Sequence, residues 1–450
     1  LPLEPAVPST KVIIAPPTGQ FAILDGKGHD VFEGLESKLQ TDAERRVARF
    51  IAERADEILD FTCDLIRTPS VNPPGNEVAV SRVIMDRLAR LGVQDARVLA
   101  VKEDRPNVVA TVEGSRPGRT LMLSGHIDTK PAGNMDEWKT DPWEPTLKDG
   151  KLIGLGSGDM KAAIAAMTYA AAALRELGEF PGRLSLALTA DEENGSVYGS
   201  KWLAAEGHLQ ADVCVIGEPA GVADEWESIH LVSRGCALFK VVVLGTQMHS
   251  SISDQLPAVN ATLKMAALAI KMQRELRDYL TFDRHEYCRM GPTVNVGVMA
   301  QAGVTYGVYP GRAEFASDIR TVPGMTEEQV KADIQRFLDD AMKEDPELDA
   351  ALEWNLMVGA TEIDGGDPVV RHLSDAAFAV LDKRPRLDAF PGATDAAFIQ
   401  TAAGIPCIAS FGPGMLPRAH SPNEAMNSSG AAEAAMIYAI SALRYLSEGA

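Results

Sequence analysis

Long apolar runs are missing from this 450-residue chain: none reaches the ~20 residues that a bilayer-crossing helix needs. Cysteine is scarce. The five thiols, Cys63, Cys214, Cys236, Cys288 and Cys407, are odd in number, scattered and without a C-x-x-C pair, which excludes a thiolate zinc knuckle and suits a reducing compartment. The opening residues, LPLEPAVPST, lack a basic stretch followed by an apolar one, so a cytoplasmic location is expected. Positive charge is also in deficit. With 43 Lys and Arg against 63 Asp and Glu the formal charge is −20, and no local basic patch relieves it. A field of that sign repels phosphate backbones and anionic lipid heads, so neither a nucleic acid nor a membrane is expected as a partner. Common catalytic signatures are absent too. No serine stands in a G-x-S-x-G context, and His285-Glu286 is followed by Arg289 where the second histidine of H-E-x-x-H would fall. The loop Gly154 to Gly158 lacks both the Lys-Ser/Thr of a phosphate loop and the third glycine of a dinucleotide fingerprint.

What remains is an ordinary globular composition, 46% hydrophobic and 24% charged, in a chain long enough for more than one domain. Residues 1–40, with Pro2, Pro5, Pro8, Pro16 and Pro17, read as an extended arm with little core of its own. From Asp42, apolar residues at helical spacing (Val47, Ile51, Ile58, Phe61, Leu65) run to a stop at Pro69. The short apolar runs Leu121–Ser124, Leu184–Thr189 and Val213–Ile216 read as buried strands, with an alanine-rich helix over Met160–Leu177 between the first two. Strands alternating with helices predict an α/β domain whose mostly parallel sheet is sandwiched by helices. A different order begins near Ile229: strand, helix, strand, strand, helix, strand up to Leu356, the split βαβ pattern. The first pattern then resumes with a helix over Pro368–Leu381 and a strand over Pro406–Phe411. The expected organisation is therefore a first domain built from 1–228 and 361–450, with an α+β domain over 229–360 inserted into it.

The charged residues cluster at the ends of those strands. Leu121–Ser124 runs into Gly125-His126-Ile127-Asp128, Leu184–Thr189 into Asp191-Glu192-Glu193, and Val213–Ile216 into Gly217-Glu218-Pro219. In open α/β sheets sites form beyond the carboxyl ends of the strands, so these residues are predicted to converge. Asp159 follows the glycine loop directly, at the start of the alanine-rich helix. Singly each signal is bland: a histidine after a strand is usually structural, and Glu192-Glu193 alone is most often a solvated turn. Jointly they carry weight.

Together with Pro-Gly392-Ala-Thr394-Asp395 and Ala-His420-Ser-Pro-Asn-Glu424, in that order along residues 60–430, the set resembles the dinuclear zinc amidohydrolases. That family includes acetylornithine deacetylase, succinyl-diaminopimelate desuccinylase, aminoacylase and glutamate carboxypeptidase. The inserted α+β domain is similar to the family's ferredoxin-like lid and dimerisation domain. Carried over by position, the resemblance implies that His126 and Glu218 hold one divalent metal ion, Glu193 and His420 the other, and Asp159 both. Zinc is the expected metal, with cobalt or manganese possible substitutes. Asp128 is expected to accept the second imidazole N–H of His126, and Glu192 to act as general base toward a metal-activated water. His249 resembles the lid histidine that reaches a neighbouring subunit's site, so a homodimer through the lid is implied. Arg320 and Asn295, with Gly392 and Thr394, resemble substrate contacts, Arg320 gripping a carboxylate by its fork.

The implied substrate is a small N-acyl amino acid whose amide is cleaved. A dipeptidase or carboxypeptidase would use the same metal chemistry with a different pocket. A silent binding protein of the same fold is the rival from another class, disfavoured by the intact Glu192. Two departures from the family pattern, Gly307-Val-Tyr-Pro310 and Asp254-Gln-Leu-Pro257, fall in the lid.

Overall fold

The computed structural model describes residues 34–449. Most of the expected N-terminal arm, 1–33, lies outside them. Its last residues depart from the expected extended form: Leu35–Lys38 is a 3-10 turn, and Leu35 and Leu39 are buried in the main core. The helix expected from Asp42 to Pro69 is two helices, Asp42–Ala52 and Ala55–Ile66, because Arg54 leaves the helical region at φ −117°. Each buries one apolar stripe. The first is anchored by Arg444, whose guanidinium grips buried Glu44 through two bonds of 3.0 Å.

A six-stranded sheet organises the main body, in the order Asp95–Leu99, Asn107–Glu113, Pro181–Thr189, Arg116–His126, Val213–Ile216, Cys407–Ile408. The three strands expected from apolar runs lie side by side and parallel. Leu121 faces both Leu184 and Val213, and Ser124 faces both Ala187 and Ile216; Val213–Ile216 ends there and the other two run two residues further, to His126 opposite Thr189, so the carboxyl ends lie on one side within two residues of one another. The sheet is more mixed than "mostly parallel" implies. Asp95–Leu99 and Asn107–Glu113 are joined by too short a connection for a crossover and pair as an antiparallel hairpin, and the second is antiparallel to Pro181–Thr189 as well. The strand expected over Pro406–Phe411 is ladder-paired only at Cys407–Ile408.

Helices cover both faces. On one, the alanine-rich Ala162–Leu177 and Gly430–Ser447 pack with the two N-terminal helices and Pro368–Leu381 into a large apolar core; on the other, Ser200–Ala205 and Ala396–Ala403 cover a smaller one. Small side chains let the two long helices approach closely, which is why they read as alanine-rich rather than amphipathic.

Between Gly235 and Val358 the chain forms a separate antiparallel sheet, in the order Thr293–Ala302, Arg312–Thr321, Gly235–Leu244, Asp349–Val358. Helices Ala261–Tyr279 and Glu327–Glu344 pack on it around Phe239, Phe315, Phe337, Met272 and Leu276. This is the β-α-β-β-α-β order. Where the chain leaves and re-enters the main body, Thr361–Glu362 pairs with Ser228–Ser233, which in turn lies parallel to Arg386–Phe390.

Candidate metal centre

Because the three parallel strands end within two residues of one another, the residues at and beyond their carboxyl ends emerge on the same side. His126 is the last residue of its strand and is 2% exposed. Its Nδ1 is 3.0 Å from the Asp128 carbonyl oxygen; donating there leaves Nε2 as a free lone pair aimed at carboxylates, 3.0 Å from Asp159 Oδ1 and 3.5 Å from Glu218 Oε1. Asp159 turns its other oxygen to His420 Nε2 at 3.2 Å. His420 Nε2 is in turn 3.1 Å from Glu193 Oε1. Two triplets of donors result, His126–Asp159–Glu218 and Asp159–Glu193–His420, each with its atoms within 4.8 Å of one another and both sharing Asp159.

Local structure explains how each donor is presented. Asp159 follows a glycine loop in which Gly156 has φ +77° and backbone N–H groups turn inward. The buried Glu424 carboxylate accepts three of them, from Gly156, Gly158 and Asp159, at 2.8–3.1 Å. Glu192 and Glu193 form a short turn launched by Asp191 in the left-handed region at φ +66°. Asp191 is tied down by Arg105 at 2.8 Å and by the Asn72 amide at 3.1 Å, and Arg105 is clamped by both oxygens of Glu77, all of them buried. Asp395 accepts from the hydroxyls of Ser196, Ser200 and Thr189, fixing the far side of the same segment.

Asp128 departs from expectation. Its carboxylate Oδ1 is 3.6 Å from His126 Nδ1, beyond hydrogen-bond reach, because its own backbone carbonyl occupies that position. The carboxylate instead accepts the backbone N–H groups of Glu192 and Glu193 at 3.3 and 3.2 Å and the Asn72 amide at 2.8 Å. The backbone of Asp128 therefore sets the imidazole tautomer, and its side chain sets the Glu192–Glu193 turn.

The electrostatics of the cluster ask for cations. Burial, together with neighbouring Glu218, Asp395 and Glu193, pushes Glu192 well above the usual carboxylate range despite the pull of His126; burial, Asp159 and Glu193 do the same to Glu218. His420 is pushed up to about 10: burial opposes its charge, but hydrogen bonds to Asp159 and Glu193 outweigh it. Protons are drawn to where divalent ions would neutralise the same carboxylates. Imidazole and carboxylate donors without a thiolate suit zinc, cobalt or manganese, so the residues fit the pair of ions that the sequence implied. Glu192 belongs to neither triplet and stands beside both.

The remaining predicted residues do not join the cluster. His249 is exposed, with Nδ1 taken by Ser251. Arg320 and Asn295 share Asp318, at 3.3 and 2.9 Å, and among the described residues neither bonds any of the clustered side chains. Thr394 is buried, its N–H donating to Ser233 Oγ, and the Gly392 carbonyl accepts from the same hydroxyl at 3.4 Å. Sequence reasoning missed Asn72, Glu77, Arg105 and Lys130, and assigned Glu424 no role. Only Glu424 carried a signal, since it ends the His420 motif. A cavity of about 660 Å³ opens beside Pro391, lined by Arg234, Arg289, Arg386, Glu286 and Asp388 among others. Arg234 Nε is buried there without a partner among the described residues.

Comparison with known proteins bears on the same span. A family model described as Peptidase family M20/M25/M40 matches residues 122–446. The succinyl-diaminopimelate desuccinylase of Methylobacillus flagellatus is 30% identical over 360 residues, covering 79% of this chain and 90% of its own. Among solved structures, the dipeptidase Dug1p of Saccharomyces cerevisiae superposes with a TM-score of 0.70 at 17% identity, covering 90% of this chain and 99% of its own. Human carnosine dipeptidase 1 does so with a TM-score of 0.69 at 21% identity, covering 91% and 100%. At such identities the structures speak for a shared fold.

Proposed function

This chain belongs to peptidase family M20/M25/M40 and is a metal-dependent hydrolase of amide or peptide bonds, and from that premise we propose that it is a zinc deacylase of small N-acyl amino acids. The observation that carries the proposal is the pair of donor triplets sharing Asp159, with Glu192 adjacent and unspent. The deacylase reading draws on the 30%-identical relative, whose name describes removal of a succinyl group from an amino acid. A preference for a substrate with a free carboxylate draws on the cavity beside Pro391, to whose lining Arg234, Arg289 and Arg386 contribute.

His126 and Glu218 would hold one ion, Glu193 and His420 the other, and Asp159 both. Bound there, two divalent cations supply Lewis acidity that polarises an amide carbonyl and makes water a stronger acid. Glu192 takes the proton of the attacking water on its carboxylate and later returns it to the leaving amine nitrogen. Asp128 keeps that base in place by holding the N–H groups of Glu192 and Glu193 together. Glu192→Gln is expected to keep two metal ions per chain while lowering kcat by roughly 10²–10⁴ on N-succinyl and N-acetyl amino acids. An undiminished kcat in the variant would sink the role of Glu192. A wild type that cleaves dipeptides and no N-acyl amino acid would move the assignment to a dipeptidase.

The α+β unit is proposed to be a lid through which two copies pair. Supporting this, Thr293–Ala302 is an edge strand of its sheet and carries exposed Val298 and Met299, with Val304 and Tyr306 exposed just beyond. A partner's lid is the proposed route by which His249 reaches a centre. Met299→Lys should shift light scattering from dimer to monomer and reduce activity with it; a fully active monomer refutes a subunit-crossing His249.

A further inference from the structure

Lys130 has no role in the reading above, yet it touches the centre. It follows His126 by four residues, and its Nζ lies 3.3 Å from Glu193 Oε2 while also donating to the Glu193 carbonyl oxygen. Glu193 Oε1 faces His420. The two oxygens of this carboxylate are thus divided, one turned into the Asp159–Glu193–His420 triplet and the other held by an ammonium. The opposite half has no such neighbour: among the described residues the ion-pair partners of Glu218 and Asp159 are His126 and His420 alone.

We propose that Lys130 makes the two halves of the centre unequal, confining Glu193 to one ligating oxygen and loosening the ion on the His420 side. The inference rests on the dinuclear reading of the site. Two opposing effects decide its sign. An outer partner that orients a ligand normally tightens metal binding. Glu193, however, is oriented without Lys130: its N–H is fixed to Asp128 at 3.2 Å and its side chain is buried against His420. What Lys130 adds is a positive charge beside a cation and the loss of a second oxygen, and both weaken the hold. Its side chain is 35% exposed, so water screens the repulsion. Even at the dielectric of water a unit charge ~5 Å from a divalent ion changes affinity on the order of tenfold. The physical consequence is a centre with one resident and one exchangeable ion, the exchangeable one held by its most exposed ligand, His420.

The test is stepwise reloading of the metal-stripped full chain with zinc by calorimetry and with cobalt by visible absorption. Wild type should take up two ions with separated constants, and His420→Ala should lose the weaker event only. Lys130→Met should tighten the weaker constant about tenfold and leave the stronger one unchanged, while Lys130→Arg keeps the separation. An affinity for the weaker ion that is unchanged or reduced in Lys130→Met overturns the role of Lys130 alone. Uptake of fewer than two ions by the wild type overturns the dinuclear reading, and this inference with it.

Discussion

At the scale of single residues, Asp128 separates two tasks that spacing alone had merged. Standing two positions after His126, it invited the reading of a carboxylate on the imidazole. The chain bends so that the Asp128 carbonyl arrives first, at 3.0 Å, and the carboxylate turns to the N–H groups of the next loop. Asp128→Asn should therefore leave the histidine tautomer intact. Its amide nitrogen would face donors where an oxygen now accepts, from Asn72 or from the Glu192–Glu193 turn. Such a change in a supporting shell costs about 10–100-fold, expected here in kcat, with metal content and KM nearly constant. Loss of metal in step with activity would return Asp128 to the role of supporting His126. Three of the ligands, His126, Glu193 and Glu218, were legible in the sequence because they come at or just beyond the ends of apolar strands, whereas Asp159 and His420 stood out only through the motifs around them. Arg105, Glu77 and Asn72 were not legible, since their significance lies in being buried around Asp191, and burial of a charge is decided by elements distant in sequence.

At the scale of elements, the three parallel strands were legible because burial on both faces leaves them continuously apolar. The strand Asp95–Leu99 was not, because it lies at the sheet edge with most of its residues exposed. Equally hidden was how closely the strand ends are pressed together. Phe411 N–H donates to the Ile216 carbonyl at 2.8 Å, and a Cβ on Gly412 would meet the carbonyl oxygen of Gly217, backbone that cannot swing aside. Gly412→Ala should thus push back the Gly217–Glu218 turn. The expected cost is about 1–3 kcal/mol of stability, together with weakened binding of the ion on the Glu218 side. Denaturant melts and chelator competition check the two effects. Gly366→Ala, whose Cβ would meet nothing closer than 3.5 Å, is the control. Equal behaviour of the two variants would show that the close approach at Gly412 is relaxed at no cost.

At the scale of the whole molecule, the described residues cross between two apolar cores at two places, Ser233–Gly235 and Val358–Thr361, and these crossings are zipped by the pairing of Ser233 with Thr361. All five candidate ligands sit on the main body and none on the 235–358 unit. Metal binding to the native state stabilises only what must unfold to release it, by about 4 kcal/mol at a thousandfold excess over Kd. Heating should therefore resolve two transitions, with chelation lowering the main-body transition on the order of 10 °C and leaving the other in place. Tryptophan assigns them: Trp354 lies in the smaller unit, stacked on Phe239, whereas Trp138, Trp143, Trp202 and Trp226 lie in the main body. In Trp354→Phe the fluorescence melt should follow only the chelation-sensitive transition, while calorimetry still records both. A single transition that moves as a whole on chelation would mean that the two cores, which touch through Tyr287, unfold as one. In that case any opening of one unit against the other would have to occur without loss of either core.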